Sequence, residues 1–171
     1  VQKNKNIFAI LLDVISSVFT PTLGLLAGSG IIKGLASLLA VTNVIQKTDG
    51  AFILLQNIGN TFFYFFPVVL GYTAAKKFKL TPLMGIVIGA CLVNPAFINI
   101  LSNSEPLYTL FDGSVIASPV YFSLLGIPVL LMNYSQTVIP IIFAVFLAAK
   151  LEKKLKVIVP KVLQMFAVPM L

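Results

Sequence analysis

The five acidic and twelve basic residues of this chain stand so far apart that they work as fence posts around stretches a water-soluble fold does not tolerate. Nineteen uncharged residues lie between Asp13 and Lys33. The runs Gly50 to Ala75 and Leu80 to Ser104 are each enclosed by charges, and a fourth charge-free stretch of 37 residues extends from Gly113 to Ala149. A bilayer core about 30 Å thick takes about 20 apolar residues of helix, and an ordinary soluble domain spends about a quarter of its residues on charge. Here 58% of residues are hydrophobic, 10% are charged and the mean hydropathy is +1.03. The pattern predicts an all-α polytopic membrane protein, a helical bundle with spans at about 8–32, 51–74, 82–102 and 124–149 and a further helix from 157, and it excludes a soluble enzyme.

The fourth stretch is too long for one straight helix at 1.5 Å per residue. We expect a loop or interfacial piece from Gly113 to about Ser123, an entry near Gly126 and Pro128, and a span onward to Ala149. Within it the polar residues Asn133, Tyr134, Ser135 and Gln136 precede Pro140, which predicts a broken or kinked helix. Lys3 and Lys5 precede an apolar run longer than a signal-peptide core, so the first segment reads as a retained helix. The charge-free end from Val162 to Leu171 is too short to cross and reads as a helix cut midway.

Topology follows from the lysines. With a cytoplasmic N-terminus, ten of the twelve (Lys3, Lys5, Lys76, Lys77, Lys79, Lys150, Lys153, Lys154, Lys156 and Lys161) fall inside and only Lys33 and Lys47 outside. Asp49, Glu105 and Asp112 then lie outside, as the positive-inside rule favours. The net charge of +7 comes without a single arginine, which removes the bidentate contacts that nucleic-acid readers use most. The lysines are therefore assigned to topology and anionic lipid, with no nucleic acid as partner. The chain has no histidine and one cysteine, Cys91, in an apolar run. No metal site, cofactor or catalytic residue is expected, and Cys91 reads as small packing.

Several polar and small residues inside the spans bear on function. Asp13 is a substrate or ion contact by default for an acid near hydrocarbon, or else it reaches the interface or pairs with a lysine. Asn94-Pro95 interrupts the third span and leaves the Cys91 carbonyl without its usual donor, so Asn94 either points to a substrate path or ends a helix. Pro95, Pro128 and Pro140 are the expected helix breaks. Asn57, Asn60, Thr61 and Tyr64 either line a path or make contacts between helices. Gly24 and Gly28, Gly30 and Gly34, and Gly85 and Gly89 recur at four-residue spacing, which lets backbones approach within the chain or across a dimer. Glu152 and Lys156 form an i,i+4 pair on an interfacial turn.

Taken in order, Asp13-Val-Ile-Ser-Ser-Val-Phe-Thr-Pro21, the Gly28 to Gly34 region, Phe65-Phe66-Pro67 through Gly71 to Lys76-Lys77-Phe78, Pro82-Leu-Met-Gly85, Leu92-Val-Asn-Pro95, and Tyr134-Ser-Gln-Thr-Val138-Ile-Pro140 leading to Ala149-Lys150-Leu151-Glu152-Lys153 carry a specific likeness. The chain resembles, over essentially its whole length, the N-terminal half of the sugar permease subunit, enzyme IIC, of the bacterial phosphoenolpyruvate-dependent phosphotransferase system. The likeness is to its glucose and β-glucoside branch, most of all to β-glucoside, sucrose and trehalose permeases.

The resemblance implies translocation of a sugar coupled to its phosphorylation, in the bacterial cell membrane. The phosphate comes from a cysteine on enzyme IIB, which is charged in turn from a histidine on enzyme IIA. Neither is matched here, because Cys91 lies in a membrane segment and there is no histidine. The family's main sugar contacts, including a glutamate in a glycine-isoleucine loop, belong to the other half. This half is expected to supply scaffold and homodimer contacts among membrane lipid. Relatives commonly carry His or Tyr before the proline where this chain has Asn94, which leaves the sugar open. The competing readings are half of a cation-coupled secondary transporter, which would need Asp13 central and paired, and an inert membrane scaffold.

Overall fold

The computed structural model describes residues 7–111, 113, 117–124, 127–129, 134 and 137–160. Helix α1 (Ile7–Phe19) runs through a single 3-10 turn, Thr20–Thr22, into α2 (Leu23–Val41). Helices α3 (Gly50–Tyr64) and α4 (Phe66–Phe78) follow, then α5 (Pro82–Leu92) and α6 (Pro95–Asn103). Two three-residue hairpins come next, β1 (Tyr108–Leu110) with β2 (Ser118–Val120) and β3 (Phe122–Leu124) with β4 (Ile127–Val129), both antiparallel. Helix α7 (Ile139–Ile158) completes the order.

Three segments, Phe8–Val41, Gly50–Phe78 and Pro82–Leu101, are long and apolar enough to cross a membrane. Their outer surfaces are greasy, with Phe8 69%, Ile31 71% and Leu83 70% exposed. A water-soluble monomer does not present such a continuous apolar surface, and a bilayer solvates it. The chain is a polytopic, predominantly helical membrane protein.

Helix α4 is the centre of the fold. Its buried residues Phe66, Pro67, Leu70, Gly71, Ala74 and Ala75 fall on one helical stripe. With Val18 from α1, Leu80, and Ile141, Val145 and Ala149 from α7 they form the core. Burial on α7 recurs at Ile141, Val145, Ala149 and Glu152, the spacing of a helix that shows one face to its neighbour. Between α4 and α5 the chain turns through Lys79, whose left-handed backbone (φ 61°) closes the helix. The Leu80 N–H reaches back to the Ala75 carbonyl at 2.9 Å, which ends α4 in a Schellman-type turn with Leu80 tucked into the core.

The helices depart from the expected spans in two places. The first helical run continues past Lys33 to Val41. Lys33 is accommodated because its stem lies along Gly59 of α3 and its ammonium sits 5.2 Å from the centre of the Phe63 ring, so a charge within a helix need not end it. From Asp13 to Lys33 is about 30 Å of helix, so the two charges still bracket one hydrocarbon thickness. The fourth expected helix, 124–149, begins only at Ile139. Strands β3 and β4 pair antiparallel with Pro128 facing Ser123, so Pro128 is an edge-strand residue and breaks no helix. Pro140 stands in the first turn of α7, where the missing N–H costs nothing, and starts the helix where a kink was expected. Helix α7 also absorbs Val157 and Ile158, the expected start of a fifth helix. Asn133, Ser135, Gln136 and Gly126, together with the apolar end 162–171, lie outside the described residues.

Candidate functional site

The three spanning segments are each interrupted, and the interruptions lie side by side. The first is the Thr20-Pro21-Thr22 turn, the second the break at Phe65 followed by Pro67, and the third Val93-Asn94 followed by Pro95. Proline explains the placement, since it removes a donor and disfavours helix at the residue before it. The rings of Phe19 and Phe66 meet edge to face at 5.5 Å and Phe62 packs on Phe66 at 5.6 Å, which joins the first break to the second. The Tyr64 hydroxyl donates to the Val93 carbonyl at 3.3 Å, which joins the second to the third. Phe65 is twelve residues before Lys77 and Val93 twelve after Thr81, about 18 Å of helix in each case. That is near the middle of a core about 30 Å thick. Non-helical backbone at such depth is tolerated where it is buried in protein or lines a cavity, the arrangement found where transporters bind substrate.

The polar groups at this level are engaged locally. The Thr20 hydroxyl donates to the Ser16 carbonyl at 2.8 Å and that of Thr22 to the Phe19 carbonyl at 2.7 Å. Asn94 is exposed and its Oδ1 accepts the Ala96 N–H at 2.9 Å, so it caps α6. The Asn94 N–H donates to the Cys91 carbonyl at 3.3 Å, so that carbonyl is not orphaned. Asn57 donates to the Ile53 carbonyl at 2.7 Å and Thr61 to the Asn57 carbonyl at 2.8 Å, both within α3. Cys91 is exposed and does not pack inside this chain. The belt thus sets the three helix breaks side by side, with Thr20, Thr22, Asn57, Thr61 and Asn94 bonded within their own segments.

At the charged end of the bundle, Asp13 pairs with Lys77 at 2.9 Å, and Lys77 also donates to the Ser17 hydroxyl at 2.8 Å. The pair ties the middle of α1 to the end of α4, as in the lysine-paired alternative given for Asp13. Glu152 does more than complete an i,i+4 pair. Its side chain is only 4% exposed, accepts from Lys156 Nζ at 2.6 Å, and accepts the Thr81 hydroxyl at 3.1 Å and the Thr81 N–H at 3.4 Å. Thr81 is the N-cap of α5, so the carboxylate sits where the helix dipole is positive. Burial pushes the Glu152 pKa up, but the hydrogen bonds from Lys156 and Thr81 outweigh it and hold the carboxyl below its ordinary value of 4.5.

The glycines divide sharply. Gly71 and Gly85 meet carbonyl to α-carbon across the α4 and α5 interface, and a Cβ on either would overlap the other's carbonyl. One on Gly89 would come within 2.5 Å of the Pro67 carbonyl oxygen. By contrast Gly24, Gly28, Gly30 and Gly34 have nothing within 4 Å of where a Cβ would stand. Helix α2 meets α3 on a different stripe, through the buried Ser29 and Ala36, with Lys33 between them. Gln56 donates to Ser37 at 3.2 Å on the same interface. Gly59 was missed as a contact residue because it belongs to no four-residue small-residue pair, and Gly71 because its partner at that spacing is Ala75 where only glycine pairs were sought. The link between Thr81 and Glu152 spans 71 residues of sequence, and no local signal announces it.

Comparison with known proteins agrees with this architecture. Residues 16–171 match the family model described as Phosphotransferase system, EIIC. A β-glucoside-specific EIIBCA component of Halalkalibacterium halodurans is 50% identical over 98% of this chain and 26% of its own length. The β-glucoside-specific EIIBCA component of Dickeya chrysanthemi is 42% identical over 90% of this chain and 23% of its own length. A sucrose-specific EIIBC component of Bacillus subtilis is 28% identical over 91% of this chain and 31% of its own length. The chain therefore spans about a quarter to a third of the length of these relatives. No solved structure matches it. By the extent of the family match and the run of segments that carry it, the chain belongs to the phosphotransferase system EIIC family.

Proposed function

We propose that this chain is the N-terminal, scaffold and dimer-forming half of a phosphotransferase permease. It carries a β-glucoside or a disaccharide such as sucrose or trehalose across the bacterial cell membrane as part of a unit that includes enzyme IIB and IIA domains. The observation that carries the proposal is the family match over residues 16–171, together with relatives whose names specify β-glucosides and sucrose and which are fused to B, or to B and A, components. The higher identity to the β-glucoside proteins, 50% and 42% against 28%, favours a β-glucoside. The belt of breaks, whose Thr20, Thr22, Asn57, Thr61 and Asn94 side chains bond within their own segments, suits a scaffold beside the sugar path. The open glycine pairs of α2, Gly24 with Gly28 and Gly30 with Gly34, stand on two separate stripes, either of which suits the second copy of a homodimer.

The cation-coupled alternative has less support, because Asp13 lies at the charged end of the bundle, paired with Lys77. The two readings separate in membrane vesicles that hold the permease with its phosphorylating domains. An aryl β-glucoside is expected to accumulate inside as its 6-phosphate when phosphoenolpyruvate and the general phosphotransfer proteins are supplied, with no response to a sodium or proton gradient. Accumulation of unmodified sugar driven by a gradient would sink the proposal.

A cytoplasmic N-terminus is supported by the same charged end. The Asp13 to Lys77 and Glu152 to Thr81 contacts draw Lys76, Lys77, Lys79, Lys150, Lys153, Lys154 and Lys156 to one side of the bundle. In a Cys91→Ser background, a cysteine placed at Thr48 is expected to react with a membrane-impermeant maleimide on intact cells. One placed at Lys153 is expected to react only after the cells are opened, and the opposite pattern would reverse the topology.

A further inference from the structure

We propose that the groove between α1 and α7 is a binding site for the acyl chain of an anionic phospholipid whose headgroup rests on Lys150 and the neighbouring lysines. The inference rests on the membrane placement proposed above, and goes beyond it in naming a ligand and the residues that hold it.

The groove is a half-open cavity of about 390 Å³, within the about 300–1,000 Å³ typical of small-molecule sites. Every side chain that lines it is apolar, among them Ile10 and Val14 of α1, Phe78 of α4, and Ile142, Phe143 and Phe146 of α7. Its inner lip is made by Phe78 and Phe146, which meet edge to face at 5.3 Å. Helices α4 and α7 run parallel here, with Ile141 beside Gly71 and Phe146 beside Phe78. The groove therefore opens sideways to the leaflet on the lysine-rich side and ends at the level where that leaflet's headgroups lie.

Charge at the lip is one-sided. Lys150 lies over the Phe146 ring with its Nζ 4.5 Å from the ring centre, so its ammonium is held at the mouth of the groove. Lys76, Lys79, Lys153 and Lys154 belong to the same end. Among the described residues the carboxylates there, Asp13 and Glu152, already pair with Lys77 and Lys156, and no ion pair takes up the other five lysines. An apolar slot with an uncompensated cationic mouth complements a lipid with an anionic head.

The chain contains no tryptophan, so Phe143→Trp places a sole fluorescent reporter in the groove, at a residue 60% exposed. A second variant, Val87→Trp, reports lipid on the far side at α5, where Val87 is 61% exposed. Each is reconstituted in phosphatidylcholine vesicles into which phosphatidylglycerol or phosphatidylcholine with brominated acyl chains is titrated. The expected result is half-maximal quenching of the groove reporter at a several-fold lower mole fraction of the brominated phosphatidylglycerol. The two lipids should quench the Val87→Trp reporter alike, and Lys150→Gln with Lys154→Gln should bring the groove curves together. Equal quenching of the groove reporter by both lipids, or selectivity that survives the lysine changes, overturns the proposal. Quenching at Val87 alone means that protein fills the groove and overturns it too, whereas no quenching of either reporter overturns the membrane placement itself.

Discussion

Gly85→Leu, or its counterpart Gly71→Leu, is expected to prevent α4 and α5 from packing and to leave little folded protein in the membrane. The two glycines meet through backbone atoms, and a Cβ on Gly85 would also press on the Ala75 methyl at 2.7 Å. Overpacking a core costs about 1–3 kcal/mol when side chains can move aside. Here the obstacle is a carbonyl within a helix, which has no other rotamer, so the cost for leucine lies at or above the top of that range. Without a hydrophobic drive between helices in lipid, close backbone contact of this kind is a principal source of association. Gly85→Ala should show a smaller loss of the same sign, and Gly30→Ala, with open space around it, should fall within about 0.5 kcal/mol of the parent. Thermal aggregation of detergent-solubilised protein, followed by fluorescence-detected gel filtration, ranks the four. Equal tolerance at Gly85 and Gly30 would disprove the α4 and α5 contact.

Loss of the Glu152 carboxylate is expected to have the next largest effect, because among the described residues it is the one buried charge, and it joins α7 to the start of α5. Glu152→Ala leaves the Thr81 hydroxyl and N–H without their acceptor and removes one partner of the Lys156 ammonium. Lys156 is half exposed and water compensates it, so the loss is set by the Thr81 groups and the helix end, about 1–3 kcal/mol. The same site makes stability depend on pH in a defined direction. The folded carboxyl titrates below its ordinary value of 4.5, so its contribution is complete above the unfolded value and is lost as pH falls through the lower folded one. The unfolding temperature of the parent should therefore drop on acidification below about pH 4.5, and the drop should be shallower in Glu152→Gln. Parallel acid profiles for the two proteins would remove Glu152 from this role.

Much of the architecture was legible because the bilayer imposes a one-dimensional rule on a sequence. Charges are costly in hydrocarbon, so the spacing of Asp13, Lys33, Asp49, Lys76, Lys79 and Glu105 marks where three segments cross. Proline is equally local, so the break at Pro95 could be read by position, whereas those at Pro21 and Pro67 fall inside segments expected to be continuous. Pro128 and Pro140 were misread because a proline reports only a missing donor. Whether it starts a helix, kinks one or borders a hairpin depends on what the flanking backbone pairs with, and for Pro128 that partner is Ser123. Lys33 misled for the opposite reason, since a lysine stops a membrane helix only where no neighbour takes up its stem and head.

The solvent, the first three long apolar segments and the family could be read without a structure, whereas the expected fourth span could not, because only the former depend on composition and order along the chain alone. Which small residues matter depends on how the helices pack. Gly24 to Gly34 and Gly85 to Gly89 carry the same four-residue spacing, yet one set faces open space and the other a carbonyl, since a helix presents several such stripes and its neighbours select one. Tertiary structure also decided that Asp13 belongs with Lys77, that Glu152 belongs with Thr81, and that three helix breaks lie side by side. Those are relations between residues 29 to 71 positions apart, fixed by how the helices pack and carried by no local pattern.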